Sequence, residues 1–375
     1  MVKTRGSFLQ GFLGQGGSAG IGVDITPEQI MVAQLSKRGG RNLSLNNLVW
    51  APTPPGAVID GRVENTTAVA RVIQDLMESR RIKPGMAATA IPSREAVIRL
   101  IRLPAELQSA ELREVVLNQE AELYLPFPRD EAYVDYQSLD TAEDSDGIRR
   151  QEVLLVAAPR SIVDSYLNTI QQAGLSTRIV DVSSFSLIRV LRNKLLQYAP
   201  EEAVALLVIQ ADGTEISILI KGVPQFSRTV AIGTWEFREA LCRALDLPPG
   251  QATSLLQSLT PPLSGTSGME VEDQSFSGRG LAALRRILTE LAEEIQRSLD
   301  FYLSQGDVAP IAQVILTGTG ATMNQLDQYL SQRLSLPVER IDPLQVLSLT
   351  EDEAIPSEVR SGVGTALGLG LRTLG

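Results

Sequence analysis

Two strand–turn–strand patterns constrain the fold of this chain more than any other feature. The first covers Gly20–Leu35, GIGVDITPEQIMVAQL, in which two apolar runs flank a turn at Thr26–Gln29. The second has a strand at Ala203–Gln210, the tight turn ADGT and an alternating strand at Glu215–Ile220. Further strand and helix patterns follow each of them through the 375 residues. The sequence therefore predicts an α/β chain with a duplicated domain and a cleft between its halves.

Several segments between and after the hairpins have clear helical or irregular patterns. Ala110–Leu125 is predicted as a helix with Ser109 as its N-cap, broken by the prolines of PFP. The stretch 248–280 is rich in Ser, Gly, Pro and Thr and is predicted to be irregular. A long amphipathic helix follows at Gly280–Gln305, supported by a Glu293–Arg297 pair. The last segment, SGVGTALGLGLR, is predicted as a small-residue helix packed closely on a neighbour.

Composition excludes several functional classes. The chain has no histidine, which removes Ser-His-Asp and Cys-His triads and the commonest zinc ligand, and no metal site is predicted. A net charge of −10 argues against nucleic-acid binding. The single cysteine, Cys242, allows no internal disulfide and is predicted to be a buried apolar residue. No apolar run is long enough for a membrane span, and the first 19 residues are expected to form a mobile tail.

Four phrases of the chain, in order, carry a family resemblance: LPFPRDEAYVDYQSL, GLSTRIVDVSSFSLIRV, GVPQFSRTVAIG and EEIQRSLDFY. Together they resemble the PilM family, the actin-like proteins of type IV pilus assembly, over about Gly20 to Arg372. The division protein FtsA is similar in fold. The resemblance implies an actin-like two-lobed α/β fold, with a ribonuclease H-like duplicated core and an inserted subdomain called 1C.

The resemblance also implies domain boundaries. After the tail at 1–19, subdomain 1A is expected at 20–93 and 176–200, with 1C inserted at 94–175. Subdomain 2A is expected at 201–235 and 306–375, and 2B at 236–305, with 248–280 irregular.

In actin-like proteins the first hairpin holds phosphates through backbone N–H groups, and glycine permits close approach. The family pattern is G-[IV]-D-[IL]-G-[ST]-x-x-[VI]-K. This chain keeps Gly22 and Asp24, but Thr26 replaces the glycine, Pro27 the hydroxyl residue and Met31 the lysine. Proline has no N–H to donate. The loop therefore resembles a phosphate hairpin that has lost its phosphate-binding groups.

The second hairpin departs from the family in a similar way. In the pattern V-D-I-G-x-x-x-[TS]-[DE]-I, Val208 replaces the aspartate and Gln210 replaces the glycine. Asp212 and Gly213 are candidates for a partial phosphate site. A simple hairpin turn is the alternative interpretation of these two residues.

The adenosine turn retains more of the family pattern than the two phosphate hairpins do. ILTGTGAT resembles the family's L-[ST]-G-G-[GS]-[AS], with Gly318, Gly320 and Ala321 retained. On the long helix, Arg297 occupies a position that flanks the base in relatives, and its alternative role is a solvated residue paired with Glu293. ATP is the candidate cofactor, and Mg²⁺ is expected only with ATP. Hydrolysis is not expected, because both phosphate hairpins are altered.

Members of the resembled family bind a cytoplasmic N-terminal peptide of PilN, an inner-membrane protein, in a groove between 1A and 1C. The candidate groove residues here are Leu123, Tyr124, Leu125 and Phe127, and closure of the 1C core is their alternative role. The resemblance therefore implies a cytoplasmic scaffold at the inner membrane, held there by a PilN-like partner. Other pilus motor components and further copies of the chain, as an oligomer or ring, are the other expected partners.

Three other functions remain open at this stage. The main alternative is an active actin-like ATPase whose nucleotide state switches partner binding. A sugar- or acetate-kinase-like phosphotransferase would need an intact first hairpin and a catalytic acid near the substrate, and the sequence shows neither. An FtsA-like division protein would need a C-terminal amphipathic membrane helix, whereas this chain ends in LGLGLRTLG.

Overall fold

The computed structural model describes residues 19–38, 42–143, 147–260, 276–306, 308–349 and 355–374. The predicted tail at 1–19 therefore lies almost wholly outside the described residues. The chain divides into two compact units: unit 1 comprises Met1–Val190 and Thr365–Gly375, and unit 2 comprises Leu191–Gly364. Within the described ranges, no helix combines the length and the apolarity that a membrane span requires.

Among the residues that the structure describes, unit 1 begins with ten strands and five helices, and the last helix, α5, extends past Val190 into unit 2. In chain order they are β1 (Gly20–Ile25), β2 (Gln29–Arg38), β3 (Asn42–Pro52), β4 (Val58–Ile59), β5 (Arg62–Val63), α1 (Thr66–Ser79), β6 (Met86–Ile91), β7 (Val97–Pro104), α2 (Ser109–Glu114), α3 (Ala121–Tyr124), β8 (Ala132–Glu143), β9 (Arg149–Pro159), α4 (Arg160–Gln172), β10 (Ser176–Val182) and α5 (Ser183–Leu195).

The first sheet has the strand order β10-β6-β1-β2-β3. Strands β10, β6 and β1 run parallel, and β1 and β2 form the predicted antiparallel hairpin, in which Asp24 lies opposite Met31. Helix α1 starts where the Asn65 side chain accepts the Ala68 N–H at 3.0 Å, and its apolar face packs on the sheet. The predicted hairpin is confirmed.

A separate antiparallel sheet has the order β7-β9-β8. One face packs on the helical segment Ser109–Tyr124, and the other joins the core that contains α4. The helical segment was predicted as one regular helix, but a π-helical turn at Val115–Glu120 separates α2 from α3. Its N-cap is Gln108 rather than Ser109, because the Glu111 carboxylate accepts the Gln108 N–H at 3.2 Å.

The described part of unit 2 continues with five strands and six helices. They are β11 (Ala203–Ile209), β12 (Thr214–Ile220), β13 (Val223–Val230), α6 (Thr234–Leu245), α7 (Pro249–Ser258), α8 (Phe276–Leu303), β14 (Ile311–Thr317), α9 (Leu326–Leu334), β15 (Val338–Arg340), α10 (Pro343–Val346) and α11 (Ser357–Arg360). The sheet has the order β13-β12-β11-β14-β15, and the hairpin β11–β12 is the second predicted strand–turn–strand pattern.

The predicted irregular stretch at 248–280 differs from the structure. Its described parts are largely helical, since α7 covers Pro249–Ser258 and α8 starts at Phe276. Proline is well suited to the first turn of a helix, and Ala252 and Leu256 face the core of unit 2. The spacing and burial of Ala252 and Leu256 therefore outweigh a local composition that is typical of loops. Residues 261–275 lie outside the described part of the chain.

The last helix, α12 (Gly364–Leu374), returns to unit 1, although 306–375 was assigned to subdomain 2A. It approaches β1 and α5 closely because glycine, which has no side chain, occupies the contact positions Gly22 and Gly368. A Cβ atom on Gly22 would lie 2.1 Å from the Ala366 carbonyl oxygen, and one on Gly368 would lie 1.9 Å from that of Ser186. The predicted close packing of a small-residue helix is thereby confirmed.

Candidate functional site

The turn of the first hairpin is closed by its own polar groups. The Thr26 N–H donates to the Gln29 carbonyl at 3.0 Å, and the Gln29 N–H donates to Thr26 Oγ1 at 3.0 Å. Thr26 Oγ1 in turn donates to the Gln29 carbonyl at 2.8 Å. Pro27 contributes no N–H. The N–H groups of Thr26 and Gln29 are therefore bound within the turn.

Thr53, which follows β3, ties the same turn to the neighbouring strand. Its N–H donates to the Glu28 carbonyl at 3.1 Å, and its hydroxyl donates to the Thr26 carbonyl at 2.7 Å. The turn is thus held from both sides in one conformation. Sequence analysis did not identify Thr53, because it lies 27 residues from Thr26 and the pairing depends on the β2–β3 register.

Asp24, the candidate acid of this hairpin, lies at the end of β1 and is only 6% exposed. Burial raises the pKa of its carboxyl to about 7, and the hydrogen bond from the Ile25 N–H opposes this rise. Its strand partner Met31, which stands at the family's lysine position, is 1% exposed and belongs to the core. The carboxyl therefore lies in an apolar environment that disfavours its charged form.

A serine cluster lies at the same edge of the sheet, where the parallel strands β10, β6 and β1 end. The Ser93 hydroxyl lies 2.9 Å from the hydroxyls of both Ser183 and Ser184. The Ser93 N–H donates to Ser183 Oγ, and the Ser184 N–H donates to Ser93 Oγ, both at 3.1 Å. These bonds join the segment that leads into β7 to the start of α5. No local sequence pattern indicates this cluster, because 90 residues separate Ser93 from Ser183.

In unit 2 the second hairpin is supported by the start of α6. The Gln210 N–H closes the turn by donating to the Gly213 carbonyl at 2.9 Å. The Thr234 N–H donates to the Gln210 carbonyl, and the Trp235 N–H to the Ala211 carbonyl, both at 2.9 Å. Asp212 and Gly213, the candidate phosphate residues, thus lie in a tight turn that hydrogen bonds from the start of α6 hold in place.

The glycine-rich turn lies against the end of β11. Gly318 has a φ of 92°, and a Cβ atom there would lie 2.4 Å from the Ile209 carbonyl oxygen. A Cβ atom on Gly320 would lie 2.2 Å from Ile209 Cγ2, and Ala321 is fully buried. Unit 2 therefore brings the predicted adenosine turn and the second hairpin together. Both glycines are required by backbone packing, whether or not a ligand binds.

Arg297 lies on α8, and its guanidinium pairs with Glu294. Sequence analysis predicted a pair with Glu293, one residue away. The Glu294 carboxylate also accepts a hydrogen bond from Arg228 Nη2 at 3.1 Å, so it holds α8 against β13. The observed pairing favours the structural role of Arg297 over contact with a base.

The four candidate groove residues have different environments. Leu123 is 73% exposed and Tyr124 is exposed, at the end of α3. Leu125 packs against the core between α2 and the three-stranded sheet, and Phe127 is half-buried. Leu125 therefore closes that core, and only Leu123 and Tyr124 offer an exposed apolar surface.

Comparison with known proteins gives a family match over almost the whole described chain. A family model described as type IV pilus assembly protein PilM matches residues 22–265 and 276–374. A solved structure described as the PilM–PilN type IV pilus biogenesis complex is 25% identical, with a TM-score of 0.79 over 96% of this chain and 98% of that one.

Actin-like structures match the fold at lower identity. The ethanolamine utilization protein EutJ from Carboxydothermus hydrogenoformans is 14% identical, with a TM-score of 0.53 over 95% of this chain and 90% of that one. MreB5 of Spiroplasma citri bound to AMPPNP is 11% identical, with a TM-score of 0.51 over 94% and 95%. These likenesses show that the fold is actin-like.

Proposed function

The chain belongs to the PilM family of type IV pilus assembly proteins, and we propose that it is a cytoplasmic scaffold that binds the N-terminal peptide of a PilN-like inner-membrane protein without needing nucleotide. A similar solved structure is described as a PilM–PilN complex, which supports this class of partner. In this proposal, residues 94–175, which include the three-stranded sheet, are the inserted subdomain 1C. The protein would then reach the inner membrane through its partner.

The observation that best supports a nucleotide-independent scaffold is the closed first hairpin. A phosphate-binding hairpin needs free, converging N–H groups, and here those of Thr26 and Gln29 are bound within the turn while Pro27 has none. Opening the turn would break several hydrogen bonds before any phosphate contact could form. Burial also raises the pKa of Asp24 and disfavours the charged carboxylate that would hold a metal-bound water.

We therefore expect no ATP hydrolysis above the rate of a matched Asp24→Asn variant. A coupled phosphate-release assay with Mg²⁺ and ATP measures the rate, and titration calorimetry measures binding. Turnover by the natural chain that disappears in Asp24→Asn would contradict the proposal and support the switching ATPase.

Restoring the hairpin offers a second test of the same idea. Thr26→Gly removes the hydroxyl that accepts the Gln29 N–H and so frees one donor. Met31→Lys is unsuitable as a restoring change, because Met31 is buried and a lysine there would be desolvated. We expect Thr26→Gly to bind ATP at least as tightly as the natural chain.

We expect the PilN-like peptide to bind equally well in nucleotide-free buffer and with Mg²⁺ and ATP. The probe is a synthetic peptide of the cytoplasmic N-terminal residues of the PilN-like protein from the same organism, measured by titration calorimetry. A scrambled peptide of the same composition is the control. An absence of binding in both buffers would rule out the scaffold, and binding only with ATP would favour the switch.

A further inference from the structure

We propose that the exposed face of α8 binds a second copy of this chain, with the two α8 helices packed antiparallel about a twofold axis. The inference goes beyond the proposed function, because it concerns another surface and requires no peptide. Helix α8 has 28 residues and is therefore about 42 Å long. A dimer built on it would carry two copies of the proposed peptide site, and would hold two partner chains together.

Four charged residues lie on this face of α8 at intervals of seven positions. They are all exposed, and in chain order they are Arg279, Arg286, Glu293 and Asp300. Residues seven positions apart share one face of an α-helix, because two turns take about 7.2 residues. The face is therefore basic in its N-terminal half and acidic in its C-terminal half. Such a face is complementary to its own copy when the copy runs in the opposite direction.

One antiparallel register satisfies both kinds of charge pair. The midpoint between Arg279 and Asp300 falls between residues 289 and 290. The midpoint between Arg286 and Glu293 falls at the same place. A twofold axis there sets Arg279 against Asp300 of the second copy. It also sets Arg286 against Glu293 of the second copy, and symmetry repeats each contact, which gives four ion pairs.

These four side chains have few partners within their own chain. Arg279, Arg286 and Glu293 form no ion pair or side-chain hydrogen bond with any other residue that the structure describes. Asp300 accepts one hydrogen bond, from Gln296 Nε2 at 2.7 Å. The charges of the face are therefore available to another molecule.

The order of the charges opposes the helix dipole. Anions stabilise a helix in its first turn and cations in its last turn. Helix α8 has no acidic residue in its first turn and no basic residue in its last. Instead Arg279 is the fourth residue of the helix, and Asp300 is the fourth from its end. This arrangement does not stabilise an isolated helix, whereas pairing with an antiparallel copy accounts for it.

The neighbouring elements of unit 2 contact α8 on the flanks of this face. Helix α9 reaches Thr289 through a hydrogen bond of 2.9 Å, and β13 reaches Glu294 through one of 3.1 Å. Between these flanks Ala282 and Arg297 are both exposed. The proposed register sets Arg297 of one copy against Ala282 of the other, so a small residue lies opposite a long one and leaves space for its guanidinium.

Charge exchange tests the pairing in the full chain. Arg286→Glu and Glu293→Arg each place like charges at two symmetric contacts, so the dissociation constant of the dimer should rise at least about tenfold. The double variant Arg286→Glu/Glu293→Arg restores opposite charges, and its dissociation constant should return to within about threefold of the natural value. Arg71→Glu is the matched control, because Arg71 on α1 is 73% exposed and should leave the dimer unchanged.

Sedimentation equilibrium over a concentration series measures the dissociation constant. At about 0.05 M salt the natural chain should form a dimer. At about 0.5 M salt the dimer should weaken, because salt screens exposed ion pairs.

Cysteine cross-linking measures the orientation of the two helices. In a Cys242→Ala background, which removes the natural thiol, Glu290→Cys would lie beside its own copy at the twofold axis. Oxidation with copper–phenanthroline should therefore give a covalent dimer. Ala282→Cys would lie about 22 Å along the helix from its own copy and should give none. Cross-linking at both positions would show a parallel pair and would overturn the inference.

The outcomes separate this inference from the proposed function. A natural chain that stays monomeric at its highest soluble concentration would overturn the dimer and leave the scaffold standing. A dimer that Arg286→Glu and Glu293→Arg do not weaken, or that the double variant does not restore, would overturn the α8 contact. Should a charge variant unfold by circular dichroism, the cross-linking experiment decides. A dimer that binds no peptide would contradict the scaffold alone.

Discussion

Replacing Asp24 with asparagine is expected to raise the free energy of unfolding of unit 1 by up to about 4 kcal/mol at about pH 8. The carboxyl lies at the end of β1 in an apolar environment, and burial raises its pKa from 3.8 to about 7. Each unit of pKa shift corresponds to about 1.4 kcal/mol. Asparagine keeps an oxygen that can accept the Ile25 N–H and carries no charge to desolvate.

The sign of the effect depends on pH in a specific way. Below pH 3.8 the carboxyl is protonated in both the folded and the unfolded chain, so Asp24 costs nothing. Between 3.8 and about 7 the unfolded chain releases the proton and the folded chain holds it, so stability falls as pH rises. The gain from Asp24→Asn should therefore be absent near pH 4, grow through this window and level off above it.

The chain offers a convenient reporter for this measurement. It has two tryptophans, Trp50 on β3 in unit 1 and Trp235 on α6 in unit 2. In a Trp235→Phe background, tryptophan fluorescence during urea denaturation follows unit 1 alone. Asp75→Asn is the control, since Asp75 is an exposed carboxylate on α1 paired with Arg71. A stability gain for Asp24→Asn that does not change with pH would contradict the argument.

The expected result bears on function as well as on stability. A working metal-dependent site keeps its acid charged, with water, hydrogen bonds and a cation to offset the cost. In this chain the turn beside Asp24 is closed by Thr26 and Thr53, and Met31 fills the core opposite it. Asp24 then costs stability at neutral pH, a cost that asparagine would remove.

Local patterns predicted much of the fold. Both hairpins and the long helix α8 follow from periodicity and turn chemistry, which depend on residues close in sequence. Two local predictions were incorrect. The N-cap of α2 depends on a hydrogen bond to the Glu111 side chain, and the formation of α7 depends on its buried face. The return of α12 to unit 1 was also missed, since it depends on contacts between residues about 180 to 345 apart in the chain.

In the candidate site too, sequence patterns identified some features, and others depend on contacts between residues distant in the chain. Sequence comparison identified the substitutions at Thr26 and Pro27, but only the structure shows that Thr26 and Thr53 close the turn. Hydrophobicity directed attention to Leu123 and Tyr124, which are exposed at a helix end.

Gly368→Ala is expected to lower the free energy of unfolding of unit 1 by about 3 kcal/mol or more. A Cβ atom at Gly368 would lie 1.9 Å from the carbonyl oxygen of Ser186 and 2.5 Å from its carbonyl carbon. Both are backbone atoms of α5, so neither can rotate away, and α12 must move instead. That movement would also disturb the Arg189 guanidinium, which donates to the Gly368 carbonyl at 3.2 Å and pairs with the buried Asp181 at 2.9 Å.

Two other helical glycines give a graded control. At Gly370 a Cβ atom would meet Leu35 Cδ1 at 3.1 Å, the end of a flexible side chain, so Gly370→Ala should cost less than Gly368→Ala. At Gly250 on α7 nothing lies within 4 Å, so Gly250→Ala should be neutral or stabilising by up to about 1 kcal/mol. Urea denaturation followed by Trp50 fluorescence measures the two unit 1 variants, and thermal melting by circular dichroism measures Gly250→Ala. Equal stability of Gly368→Ala and Gly370→Ala would show that α12 has room to shift, and that its close contact with α5 is not what holds unit 1 together.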